Sequence, residues 1–91
     1  MFTIYAIASI NRKYIYVGFT GDVEARLNRH NGGYERTTKP YLPFIVVYTE
    51  EVKTRQEARV REKYFKSRTG KRFLYDLIQT NFLELKQYAE T

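Results

Sequence analysis

A chain of 91 residues, 43% hydrophobic with nine tyrosines and six phenylalanines, has the size and apolarity to fold around one core, and a single domain over residues 1–91 is expected. With no cysteine and one histidine, His30, it excludes disulfides, Cys-ligated zinc or iron–sulfur centres, thiol nucleophiles and multi-histidine metal sites. Sixteen Lys and Arg against ten Asp and Glu leave a net charge of +6, which favours a polyanionic partner, and no run approaches the roughly 20 apolar residues of a membrane-spanning helix.

Phe2 to Ile10 is rich in β-branched and aromatic residues and carries no charge, so it reads as a strand rather than a signal peptide, and the expected location is intracellular, in the cytoplasm. Tyr14 to Gly18 repeats the pattern after the polar turn Asn11-Arg12-Lys13, which predicts a hairpin. Thr20-Gly21-Asp22 offers a helix start. Val23, Leu27 and His30 then recur at helical spacing until Gly32-Gly33 ends the segment. The 13 residues from Asn31 to Pro43 form a loop long enough to suggest function. Phe44 to Tyr48 is apolar throughout, and a strand covered on both sides is expected there. Thr54 and Glu57 make a capping box for a helix expected to run to about Thr69 and to close at Gly70. Phe73, Leu74, Leu77 and Ile78, then Phe82, Leu83 and Leu85, suggest one or two further amphipathic helices. The fold class is α+β, with a small three-stranded antiparallel sheet flanked by helices.

Charge is concentrated between Lys53 and Arg72, where nine basic residues stand against two acidic ones. Such a stripe suits phosphate contact, the alternative being a solvated helix face. Within it, Glu62 lies four residues after Ala58 and three before Phe65, so a carboxylate sits at the margin of an apolar stripe. It either pairs with a basic neighbour or holds a hard divalent cation through oxygen. Arg26 and His30, four apart, share a helix face and suit phosphoryl chemistry, although a surface arginine beside a helix-end histidine has the same spacing. Tyr5 and Tyr16 suit strand packing. They share a sheet face only if paired residue numbers sum to an odd value, Tyr5 opposite Gly18 and Tyr16 opposite Ile7, a register in which Gly18 leaves open space beside Tyr5.

These residues in this order resemble the GIY-YIG nuclease family. Thr3-Ile4-Tyr5 stands for the first triplet and Tyr16-Val17-Gly18 for the second, followed by Arg26-Leu27 and His30; later, Glu57-Ala58, Arg61 to Lys66 and Gly70-Lys71-Arg72 are similar to the metal-binding helix of small members. The resemblance spans about residues 2 to 75. It implies a metal-dependent endonuclease using Mg²⁺ or Mn²⁺, in which Glu62 is the metal ligand and Tyr16 the general base or water-positioning phenol. Tyr5 would orient water and phosphate, Arg26 would stabilise phosphorane charge, and His30 would assist proton removal. Two departures stand out: Thr3 replaces the first glycine, and no asparagine follows the metal-binding helix before Asn81.

The expected function is therefore structure-directed cleavage of branched or damaged DNA in repair or recombination, with a protein partner able to supply specificity. Arg61, Lys63, Lys66, Arg68, Lys71 and Arg72 are the expected nucleic-acid contacts. The alternative is a non-catalytic nucleic-acid-binding module of the same fold, and a protein-interaction adaptor is the third reading.

Overall fold

The structure is a computed structural model that describes the backbone of residues 1–89 and the side chains of residues 1–80. Two strands, β1 (Phe2–Ser9) and β2 (Ile15–Thr20), form the expected hairpin, closed where Ser9 N–H donates to the Tyr14 carbonyl at 3.0 Å. Its register pairs Tyr5 with Gly18 and Ile7 with Tyr16, so both tyrosines lie on one sheet face. A third strand, β3 (Phe44–Val52), pairs antiparallel with β1, giving the order β2-β1-β3.

The apolar run Phe44–Tyr48 does not make a strand covered on both sides. β3 is an edge strand, with Ile45 42% and Val46 38% exposed, and the strand buried on both faces is β1 from Ile4 to Ala8. A register shift at Ala6/Ile7 explains the unbroken run. It inserts one residue and reverses the alternation of β3, so Phe44 joins Tyr5 and Ile7 on one face while Val47, Tyr48 and Val52 join Ile4 and Ala6 on the other.

Helix α1 (Val23–Asn31) covers the face bearing Tyr5. Asp22 caps it by accepting from the Ala25 N–H at 3.1 Å, while Val23 and Leu27 pack inward. Its last residue ties down the following loop. Asn31 Oδ1 accepts from the Phe44 N–H at 2.6 Å and Asn31 Nδ2 donates to the Phe44 carbonyl at 3.2 Å, which substitutes for a neighbouring strand at the start of β3.

Helix α2 (Arg55–Lys66) and helix α3 (Arg68–Ala89) cover the opposite face, where Ala58, Phe65 and Leu74 are fully buried against β1 and β2. Thr54 caps α2 through the Glu57 N–H, and the Glu57 carboxylate accepts in return from the Lys53 N–H. The expected end at Gly70 is corrected: α2 stops at Lys66 with Ser67 as its cap, and Gly70 lies in the first turn of α3. A Cβ at Gly70 would come within 2.5 Å of the Phe65 Cα, so this glycine permits the close α2–α3 junction rather than a helix stop. One helix, not two, follows; Phe82, Leu83 and Leu85 lie outside the described side chains.

Candidate functional site

The α1 face of the sheet carries the polar groups that matter. β1 presents Tyr5 and β2 presents Tyr16, with ring centroids 6.2 Å apart. α1 brings His30, seven residues after Val23 on its inward stripe, until its ring centroid is 4.8 Å from that of Tyr16. His30 Nε2 lies 3.0 Å from Tyr5 Oη. Tyr5 and His30 are each 1% exposed, whereas Tyr16 is half-buried. Gly18 is where the space predicted beside Tyr5 is used: a Cβ there would meet the Tyr5 phenol oxygen at 2.7 Å and the Tyr16 ring at 3.1 Å.

Arg26, one turn before His30, sets its guanidinium beside the Tyr5 phenol. Its Nη1 donates to Glu35 at 3.2 Å, and Arg29 Nε donates to the same carboxylate oxygen at 3.0 Å. Arg26 Nε is buried and has no hydrogen-bond partner among the described residues. Burial pushes the Tyr5 pKa up, opposed chiefly by hydrogen bonding with Arg26 and less by its charge, so the phenol is held as O–H. Burial, and secondarily the charge of Arg26, holds His30 below the usual imidazole range and hence neutral. The hydrogen bond from Arg29, with the nearby charge of Arg26, keeps Glu35 ionised below the usual carboxylate range.

Two residues that the sequence did not single out complete this site. Thr38, fully buried, places Oγ1 2.8 Å from His30 Nδ1, and Glu35 holds the two arginines. Both belong to the loop of residues 31–43. Its length was the only signal in the sequence.

Glu62 is not joined to this group by any hydrogen bond among the described residues. It stands on α2, on the opposite side of the sheet, half-buried between the buried Ala58 and Phe65 positions, with Oε1 3.2 Å from Lys66 Nζ. Its other oxygen makes no protein hydrogen bond among the described residues. β2 is an edge strand, so the two faces meet along its outer border, where Tyr16 is half-exposed. No cluster of three or more His, Asp or Glu occurs among the described residues. A cation here would therefore draw on one carboxylate and water, a donor set of oxygen alone that fits a hard divalent ion.

The basic stripe divides. Arg61 is drawn into the fold by Glu50 of β3, with bonds of 2.6 and 2.8 Å, and it lies over the Tyr64 and Phe65 rings. Lys66 pairs with Glu62. Lys63, Arg68, Lys71 and Arg72 are exposed, the last three lining a shallow groove with Tyr75.

A family model for the GIY-YIG catalytic domain matches residues 1–76. The chain belongs to the GIY-YIG family. Among the curated proteins it resembles are UPF0213 proteins: one from Streptococcus agalactiae is 41% identical over 56 residues, covering 60% of this chain and 64% of the relative. One from Enterococcus faecalis is 42% identical over 60 residues, covering 62% and 67%, and YazA of Bacillus subtilis is 36% identical over 58 residues, covering 63% and 59%. The match thus spans less than two thirds of the length of the streptococcal and B. subtilis relatives. No solved structure matches. Membership of GIY-YIG places the chain in a nuclease family with the α+β fold described above, and among the described residues no helix is long and apolar enough to cross a membrane.

Proposed function

We propose that this GIY-YIG domain is a metal-dependent DNA endonuclease that hydrolyses phosphodiester bonds. The observation that carries the reading is the convergence of Tyr5, Tyr16, Arg26 and His30, from three separate elements, on one face of the sheet. The Arg26 side chain is 34% exposed beside the two phenols, and its outward N–H groups are the donors that a phosphate oxygen would take up. The half-exposed Tyr16 orients the attacking water through its hydroxyl; as the water oxygen bonds to phosphorus and the P–O bond to the leaving group breaks, the attacking water gives its proton to solvent and the departing oxygen takes one up from solvent. Arg26 stabilises the charge gathered on the phosphoryl oxygens. Tyr5 and His30, shielded from solvent, act behind these two groups and hold them in place.

Glu62 would hold the divalent cation, Mg²⁺ or Mn²⁺, which supplies Lewis acidity to the leaving oxygen when bound. Lys63, Arg68, Lys71 and Arg72 contribute phosphate contacts along α2 and α3, contacts that follow the backbone rather than the bases and so suit recognition of branched or damaged DNA structure, with specificity supplied by a protein partner. Repair or recombination is the setting in which such structures arise, and a DNA substrate puts the protein in the cytoplasm.

The Glu62–Lys66 ion pair favours the second reading, a nucleic-acid-binding module without catalysis. One experiment separates them. Purified protein is assayed on linear, flapped and branched DNA with Mg²⁺ or Mn²⁺, beside Glu62→Gln. Cleavage by the wild type, lost in the variant with DNA affinity and melting temperature retained, is expected. DNA binding without cleavage on every substrate supports the module, and wild-type cleavage by Glu62→Gln rejects the metal role.

A further inference from the structure

His30 is held at both ring nitrogens. Nε2 lies 3.0 Å from Tyr5 Oη and Nδ1 lies 2.8 Å from Thr38 Oγ1, and both contacts are buried. A neutral imidazole has one N–H donor and one acceptor, so its two neighbours must play opposite parts. Either hydroxyl is able to play either part. The buried Tyr5 hydroxyl breaks the tie: His30 Nε2 is its one hydrogen-bond acceptor among the described residues, so the Tyr5 O–H donates there, while the Thr38 hydroxyl has the Glu35 carbonyl at 3.4 Å for its own hydrogen. The chain that satisfies every group runs from Tyr5 O–H to His30 Nε2, from His30 Nδ1–H to Thr38 Oγ1, and from Thr38 O–H to the Glu35 carbonyl. The reverse arrangement has Nε2–H donate to Tyr5 and leaves the buried Tyr5 O–H without an acceptor among the described residues.

We propose that Thr38 is a positioning residue that fixes His30 in its Nδ1–H tautomer and so presents Nε2 to the Tyr5 phenol as an acceptor. Thr38 does not meet substrate. It acts through His30, and the turn that carries it also serves Arg26. The Glu35 carbonyl accepts from the Thr38 and Lys39 N–H groups, at 3.2 and 2.9 Å, while the Glu35 carboxylate holds Arg26 and Arg29. The long loop thereby sets two site residues from one turn. Loss of the Thr38 acceptor would leave a buried N–H unpaired, and the imidazole would relieve this by moving its hydrogen to Nε2, which forces Tyr5 to reverse its own hydroxyl.

The tautomer itself stands on geometry; its effect on cleavage rests on the nuclease reading above. His30 is the only histidine, so nitrogen-15 NMR of the imidazole reports on it without assignment ambiguity. The wild type, at a pH where the ring is neutral, is expected to show a protonated Nδ1 and an unprotonated Nε2. Thr38→Ser keeps the acceptor and should keep both the spectrum and the cleavage rate. Thr38→Val keeps the shape without the acceptor, and should shift the population toward Nε2–H and lower kcat by about tenfold with KM unchanged. A wild-type spectrum with Nε2 protonated overturns the proposal, as does an unshifted imidazole spectrum in Thr38→Val. Should Thr38→Val fail to fold, the wild-type and Thr38→Ser spectra decide alone. If the tautomer is as stated but no DNA is cut by any form of the protein, the nuclease reading fails and the role of Thr38 stands.

Discussion

Gly18 and Tyr5 face each other across the β1–β2 ladder so closely that any side chain at Gly18 would strike the Tyr5 phenol, 2.7 Å from the position of a Cβ. The glycine of the second triplet is thus a packing requirement of the tyrosine of the first. Tyr5 is buried and bonded to His30, so its ring has no free direction in which to yield. Gly18→Ala is expected to destabilise the fold by about 1–3 kcal/mol, as overpacked cores do, and to displace Tyr16 as well. Urea unfolding measures the first effect. A variant as stable as the wild type would show that the phenol can move.

Gly70→Ala tests the α2–α3 junction. Replacing glycine by alanine within a helix ordinarily stabilises by about 1 kcal/mol. Here the new methyl would meet backbone, the Phe65 Cα at 2.5 Å and the Tyr64 carbonyl carbon at 2.8 Å, and backbone in a packed junction cannot swing aside as a side-chain end can. The expected outcome is net destabilisation, read as a lower urea midpoint, whereas an unchanged or higher midpoint would mean that α3 starts elsewhere.

Glu35 pairs with two half-exposed arginines, so removing it should alter stability by only about 0.2–1 kcal/mol per pair. Its effect on function should be larger and of two signs. Glu35→Ala removes a negative charge near the site, which should raise DNA affinity at low salt, yet it frees Arg26 from its fixed orientation, which should lower kcat. Affinity and single-turnover cleavage measured on one preparation check both. If kcat is unchanged, Arg26 is oriented without Glu35.

The pH dependence of stability follows from His30 and its neighbours Arg26, Glu35 and Arg29. Burial and Arg26 depress the imidazole pKa in the folded state, so between that value and the unfolded value of about 6.5 the unfolded chain binds the extra proton. Stability from this group is fully present above about pH 6.5 and is lost as the pH falls toward and through the folded pKa. The carboxylates of Glu35 and Glu50, held low by Arg29 and Arg61, add a second loss as the pH falls below their ordinary values. Melting temperature should therefore be flat on the alkaline side of neutrality and fall on acidification, in two stages, with the first stage absent in His30→Gln. An imidazole titrating above about 6.5 by NMR would contradict the sign.

Local signals carried the secondary structure. Alternating β-branched and aromatic residues, the Asp22 and Thr54 caps and the periodicity of Val23, Leu27 and His30 each act within a few residues, and the elements they specify stand where expected, with the hairpin register placing Tyr5 and Tyr16 together. The motif order was legible for the same reason, and the GIY-YIG family match spans those residues. Tertiary structure decided the rest. Whether Phe44–Tyr48 lies inside the sheet or at its edge depends on which strand pairs with β1, and the one-residue slip at Ala6/Ile7 determines which of its side chains face each helix. The end of α2 depends on how closely α3 approaches it, a distance that Gly70 permits but does not announce. Thr38 and Glu35 lie in a loop without periodicity, and they matter only because folding brings that loop against His30 and Arg26, eight and nine residues earlier in the chain. Hydrogen bonds of that kind are fixed by direction and burial in three dimensions, which residue order alone does not contain.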